Sequence, residues 1–305
     1  MNIEQLRKSR KADFGKIVKE FENTTNKPYQ DDRFWKPERD KAGNATATIR
    51  FLNAGPDDEL PWVKIFSHGF QGPSGRWYIE NSLTTLGKPD PVAEYNVALW
   101  NSTSDDNSPE RKRVRDQKRK LSYISNVLVV SDPKHPENNG KVFLYKYGKK
   151  IFEQLKEAIS PAFEDEQAIN PFDLREGANF KIKIRKVDGY WNYDKSEFDS
   201  VSPLFTDENK LNGIYTSLHS LSEIIAPSEF KSYEELKEKL DRVLGLSGAV
   251  STSTAESVAE DFDEVPWSNV NSAVADEPVV PSVDSSLDED SDDDAMDYFK
   301  KLAES

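Results

Sequence analysis

Two stretches of strict alternation constrain the fold more than any other feature of this chain. In ATATIRFL, residues 45–52, Ala45, Ala47, Ile49 and Phe51 fall on one side and Thr46, Thr48 and Arg50 on the other. Farther on, Phe180, Ile182 and Ile184 oppose Lys181, Lys183 and Arg185. A period of two is the pattern of a half-buried strand, and in the second stretch the outer face is cationic. More strands are expected at 62–66 and 76–80, joined across the turn residues QGPSG, and in the β-branched run 124–130. In GKVFLYKYG, 140–148, parity lines up Phe143, Tyr145 and Tyr147 between Lys141 and Lys149. GYWNY at 189–193 reads as an aromatic turn. Helical spacing occurs at 150–159, 218–225 and 232–244, with Gly245 as a stop. Short strands with interspersed helices make this an α+β chain, and the strands suit an OB-type barrel.

The formal net charge is −14, and its distribution is uneven. Residues 255–305 hold 16 acidic side chains against Lys300 and Lys301, so the rest of the chain is neutral overall. Beyond 246 the chain turns to Ser, Ala, Val, Asp and Pro without period, a composition expected to be disordered. The first 21 residues read as a basic amphipathic helix, with Leu6, Ile17, Val18 and Phe21 among lysines and arginines. With no cysteine, disulfides and thiolate metal sites are excluded. No apolar run approaches the roughly 20 residues of a membrane helix, and the N-terminus lacks a secretory core. A soluble, intracellular protein with no membrane partner is expected.

An acidic chain nevertheless places seven cations in the ten positions from Arg111 to Lys120. Like charges repel, so a solvated loop is the plain expectation, yet this one runs into the apolar strand 124–130 and would be held in place. Reactive constellations are scarce. His68, His135 and His219 show no spacing for metal ligation or nucleophile activation, there is no P-loop, and the acidic run 288–294 lacks the glycine and glutamate of a calcium loop. No enzymatic activity is expected, a nuclease being the least supported reading. Binding to an unpaired nucleic acid needs cations for phosphates and flat rings for bases. Both recur together at 111–123, 141–149 and 181–193.

Several segments, in order, resemble the single-stranded DNA-binding proteins of T-even-type phages. They are AGNATATIRFL at 42–52, HGF with GRWYIE at 68–80, KRK-L-SY with NVLVV at 118–130, DPKHPENNGKVFLYKYGKKI at 132–151, and EGANF through GYWNY at 176–193. The resemblance implies an OB-fold core that binds single strands non-specifically. It implies groove cations at Arg50, Lys118, Arg119 and Lys120, and groove aromatics at Tyr123, Tyr145, Tyr190 and Tyr193, with Trp100 in place of a tyrosine. Tyr147 and Lys149 join this set through the strand parity, and Arg111, Lys112, Arg113 and Arg115 form an added patch in a longer connection. Arg7, Lys8, Ser9, Arg10 and Lys11 are similar to the family's arm, which contacts neighbouring copies of the protein and makes binding cooperative. Residues 255–305 resemble its acidic tail, which recruits replication and recombination proteins.

One departure concerns the family's zinc site, of one histidine and three cysteines. His68 matches the histidine, but NSLTTLGKPDPVAE stands in the cysteine region, so no zinc or other cofactor is expected. Packing of Leu83, Leu86, Val92, Tyr95 and Leu99, with Pro89 and Pro91, is expected to hold that lobe. The expected organisation is a basic arm at 1–24, an OB-fold core with a zinc-free accessory lobe and connecting helices at 25–246, and a partner-binding tail at 247–305. The expected role is a cooperative coat for single-stranded DNA in phage replication, recombination and repair, in the cytoplasm of the infected bacterium. A single-stranded RNA-binding module or a protein-interaction scaffold is the alternative.

Overall fold

In the computed structural model the described residues are 31–246, except 164 and 188. The arm with Arg7, Lys8, Ser9, Arg10 and Lys11, and the tail 247–305, lie outside them. The strands are β1 (Phe34–Trp35), β2 (Ala45–Phe51), β3 (Val63–Gln71), β4 (Trp77–Asn81), β5 (Lys120–Ser131), β6 (Val142–Tyr147), β7 (Ala178–Val187), β8 (Tyr190–Asn192) and β9 (Glu197–Val201). The helices are α1 (Pro91–Asn101), α2 (Pro109–Asp116), α3 (Lys149–Ile159), α4 (Glu208–Thr216), α5 (Leu221–Ile224) and α6 (Tyr233–Leu244).

β5 organises the sheet because its 12 residues serve three neighbours. Lys120–Ile124 pairs with β3, Val127–Ser131 with β2, and the other edge with β6, all antiparallel. The main path runs β1-β6-β5-β2-β7-β8, with β3–β4 and β9 attached at β5 and β7. Among the described residues no pairing joins the ends of this path, so the α+β expectation holds while the sheet is open rather than a closed barrel.

The alternation in β2 works as its chemistry dictates: Ala45, Ala47, Ile49 and Phe51 are buried, against Val127, Val129, Phe180 and Ile182, and Ile151 and Leu155 of α3 join the same core. A second core holds the accessory lobe. Phe70 and Tyr78 of the β3–β4 hairpin, Leu83 and Val92 pack with Leu236, Leu240, Val243 and Leu244 of α6, and Leu86 and Tyr95 lie against them. Of the expected lobe residues Leu83, Leu86, Val92 and Tyr95 meet, while Leu99, Pro89 and Pro91 stand outside this cluster, and α6 is the support that the lobe's own sequence did not indicate. α6 begins with a full capping box, Ser232 with Glu235, and stops at Gly245. Of the helix expected at 218–225 only Leu221–Ile224 forms, its first amides donating to the carboxylate of Asp58.

Candidate nucleic-acid interface

The cationic run is not the loop its charge suggested. Ser108 caps α2 by accepting from the Arg111 amide at 3.2 Å, Pro109 occupies the first turn, and buried Val114 fixes one side to the body. One apolar anchor and a good cap outweigh the repulsion of neighbouring cations, which the helix fans outward. Lys112, Arg113 and Arg115 are exposed, and Arg111 is half-buried. The Arg111 guanidinium lies over the Trp100 ring at 4.2 Å, with Arg115 at 6.0 Å from the same ring. Arg111 also donates to the Thr103 carbonyl and pairs with Asp106, whose own carbonyl accepts from Arg115. Trp100 is thus half-buried under a guanidinium roof.

At the end of α2 the carbonyl of Gln117 accepts from His68 Nδ1 at 3.0 Å and from Asn96 Nδ2 at 3.4 Å. This clamp immediately precedes Lys118 and Arg119, both half-buried, and exposed Lys120. Arg119 lies over Phe66 at 4.0 Å and donates to Thr84 Oγ1 at 2.9 Å. The cation run is therefore tied at both ends to the accessory lobe.

His68 has its other nitrogen, Nε2, 3.5 Å from Asp90 Oδ1. Asp90 is buried, and its Oδ1 accepts from the amides of Val92 and Ala93 while Oδ2 accepts from Ser82 Oγ and Leu83 N. Burial opposes its charge, but the contacts with His68, Ser82 and Ala93 prevail and hold the carboxyl below its usual range. These residues do not suit zinc. They offer one imidazole and one carboxylate already saturated by donors, and no group of three or more metal-ligating side chains occurs among the described residues.

The remaining expected groove residues separate. Arg50 is only 1% exposed: Nε donates to Asn179 Oδ1 at 3.0 Å and Nη2 to the Ser202 carbonyl at 2.9 Å. Its parity promised an outward cation, but the segment 170–179 and Ser202 cover that side of β2. Tyr123, Tyr145 and Tyr147 are buried in the main core. They form a row, Tyr145 to Tyr147 at 5.6 Å and Tyr147 to Tyr123 at 5.9 Å, that ends on Phe152 at 3.8 Å. Tyr147 shares a 2.8 Å hydrogen bond with Ser125, and burial raises the phenol pKa of both Tyr145 and Tyr147.

Lys149 is half-buried near Glu153, at 3.7 Å. Tyr193 is half-buried against the core, whereas Tyr190 is 76% exposed. The cationic face expected on β7 is neutralised, since Lys181, Lys183 and Arg185 pair with Asp199, Glu197 and Asp194. Two basic residues outside the expected set, Arg39 and Lys186, gather instead around Trp191, at 4.0 and 5.9 Å from its ring. Extending the β7 parity past Ile184 could have found Lys186, though not Arg39.

The gp32 DNA binding protein like family model matches residues 43–244. The single-stranded DNA-binding proteins of Enterobacteria phages T2 and T4 are each 38% identical to this chain over 260 residues. Those alignments cover 81% of this chain and 83% and 84% of the two relatives. The matched span takes in the clamp, the cation run and the aromatic row. The chain belongs to the gp32-like DNA-binding protein family.

Proposed function

We propose that this chain binds single-stranded DNA, with little sequence preference, during phage DNA replication. The observation that carries the reading is the anchored cation run. Lys112, Arg113, Arg115 and Lys120 are exposed on a helix and strand end fixed by Val114 and the Gln117 clamp, beside the Trp100 ring. Fixed cations supply phosphate attraction without a large ordering cost, and rings accept any base, so affinity without base readout follows. The relatives' names support the same ligand.

The finer roles belong to this proposal. Arg7 to Lys11 join neighbouring copies and make binding cooperative. Residues 255–305 recruit replication and recombination proteins and extend the role to recombination and repair. The lobe works without zinc, the open sheet is an OB-related core, and the site of action is the cytoplasm of the infected host. The protein is a coat and not a catalyst.

Fluorescence anisotropy of labelled oligo-dT and its matched duplex, across salt concentrations, tests the reading. Binding confined to the single strand, with log affinity falling against log salt at about −0.7 per phosphate neutralised, is expected. Equal or absent binding would sink it, preference for an oligo-U strand would transfer the site to RNA, and magnesium-dependent loss of label would reveal a nuclease.

A further inference from the structure

The β7–β8 hairpin sets Lys186 opposite Trp191 and Val187 opposite Tyr190. Cross-strand partners share a face, so Trp191 and Lys186 continue the side on which Ile182 and Ile184 are buried, past the point where the core ends. The indole rests on bare backbone: a Cβ at Gly43 would come within 2.6 Å of Trp191 Cζ3. Above it lies the Arg39 guanidinium at 4.0 Å. Burial raises the phenol pKa of Tyr193 while Arg39 opposes that rise, and the Tyr193 ring packs on the core cluster containing Tyr145 and Tyr147. The aromatic row inside the sheet is thereby linked to a ring at its edge.

A ring serving the core alone would be enclosed, yet Trp191 remains 40% exposed and neighbouring Tyr190 76%. The cations differ as well. Those on the outer face of β7 are matched with carboxylates, whereas Arg39 and Lys186 address the indole. A tryptophan seated on a glycine and roofed by a guanidinium is a preorganised flat stack whose outer surface is the Arg39 plane, with Lys186 near its rim. That is the chemistry that receives a base and its flanking phosphate.

We propose that Arg39 and Trp191 form an edge platform on which one unpaired base of single-stranded DNA stacks, with Arg39 and Lys186 drawing the adjacent phosphates. The platform rests on the single-strand reading above and adds residues to it. As arginine's planar group both stacks and attracts, Lys at position 39 keeps the charge and loses the plane.

The test is anisotropy with oligo-dT at several salt concentrations for wild type, Trp191→Ala, Trp191→Phe, Arg39→Lys and Arg39→Ala, each checked by thermal melting. A base stacked on an aromatic contributes roughly 1 to 3 kcal/mol, so Trp191→Ala should weaken binding roughly 5- to 150-fold with the salt slope unchanged. Trp191→Phe should recover much of that loss, Arg39→Lys should weaken binding at constant slope, and Arg39→Ala should lower the slope by about 0.7. Wild-type affinity and slope in folded Trp191→Ala and Arg39→Lys would overturn the platform and leave the pair as a clasp between the 36–44 segment and the hairpin. Failure of the wild type to bind any single strand would refute the underlying reading instead.

Discussion

His68 Nε2 faces Asp90 Oδ1 at 3.5 Å while His68 Nδ1 reaches the Gln117 carbonyl at 3.0 Å, so one buried ring joins the start of α1 to the end of α2. A carboxylate with four donors gathers this part of the lobe. Chelators should therefore leave the melting temperature unchanged. Asp90→Ala strands three amides and the Ser82 hydroxyl in the interior and should cost about 3 kcal/mol, read by denaturant unfolding. A drop in melting temperature with EDTA would contradict this account.

The exposed cations and the exposed rings should separate in their salt behaviour. Arg113→Ala or Lys120→Ala is expected to flatten the salt slope of oligo-dT binding by about 0.7 each. Tyr190→Ala should weaken binding by roughly 1 to 3 kcal/mol at constant slope. The opposite pattern would reverse the two roles.

Arg50 should behave as a structural residue. Its guanidinium is spent on Asn179 and Ser202, so Arg50→Ala removes bonds that join β2 to β7 and to the residue that follows β9. Lower stability, by about 2 to 4 kcal/mol, with the salt slope of the surviving folded protein unchanged is the expected result. A flattened slope would return Arg50 to the DNA path.

The difference between Arg50 and its neighbours shows what the sequence could convey. Parity correctly turned Ala45, Ala47, Ile49 and Phe51 inward, because a strand's period is local. Whether the opposite face meets water depends on which distant segment crosses it, and in β2 a stretch more than 100 residues away does so. The same limit applies to Tyr145 and Tyr147, whose shared face was legible although its covering by α3 was not. For α2, net charge spoke for a loop, while the Ser-Pro-Glu start and Val114 spoke for a helix, and the local signals prevailed. The Arg39–Trp191 pair joins positions about 150 apart in sequence, beyond the reach of any periodicity.

Acid should act through Asp132. Burial opposes its ionisation, but donors from Trp35 Nε1, the His135 amide, Asn138 and the Lys134 amide hold its pKa below the usual carboxylate value. A lowered folded pKa gives stability that is present above about pH 4, the unfolded value, and is lost as pH falls through the folded one. Asp132→Asn should thus melt below wild type at pH 7, by about 2 kcal/mol in free energy, and the gap should close as pH falls below 4. A gap that stays constant from pH 7 to 3 would exclude this linkage.

The acidic segment should compete with DNA. Its net of −14 is attached to a body that is neutral overall but concentrates seven cations between Arg111 and Lys120. Opposite charges on one chain have a high effective concentration for each other, so the carboxylates would compete with phosphates for the same lysines and arginines. Deleting 255–305 should therefore raise oligo-dT affinity at low salt and steepen the measured salt dependence. The gain should fade near 1 M salt, where the screening length falls to about 3 Å. Binding of DNA would in turn release the segment to partner proteins, so partner capture by the full chain should increase when oligo-dT is added. A deletion that leaves low-salt affinity unchanged would show that the segment serves only its partners or solubility, and that the cation run lies open to DNA in the complete chain.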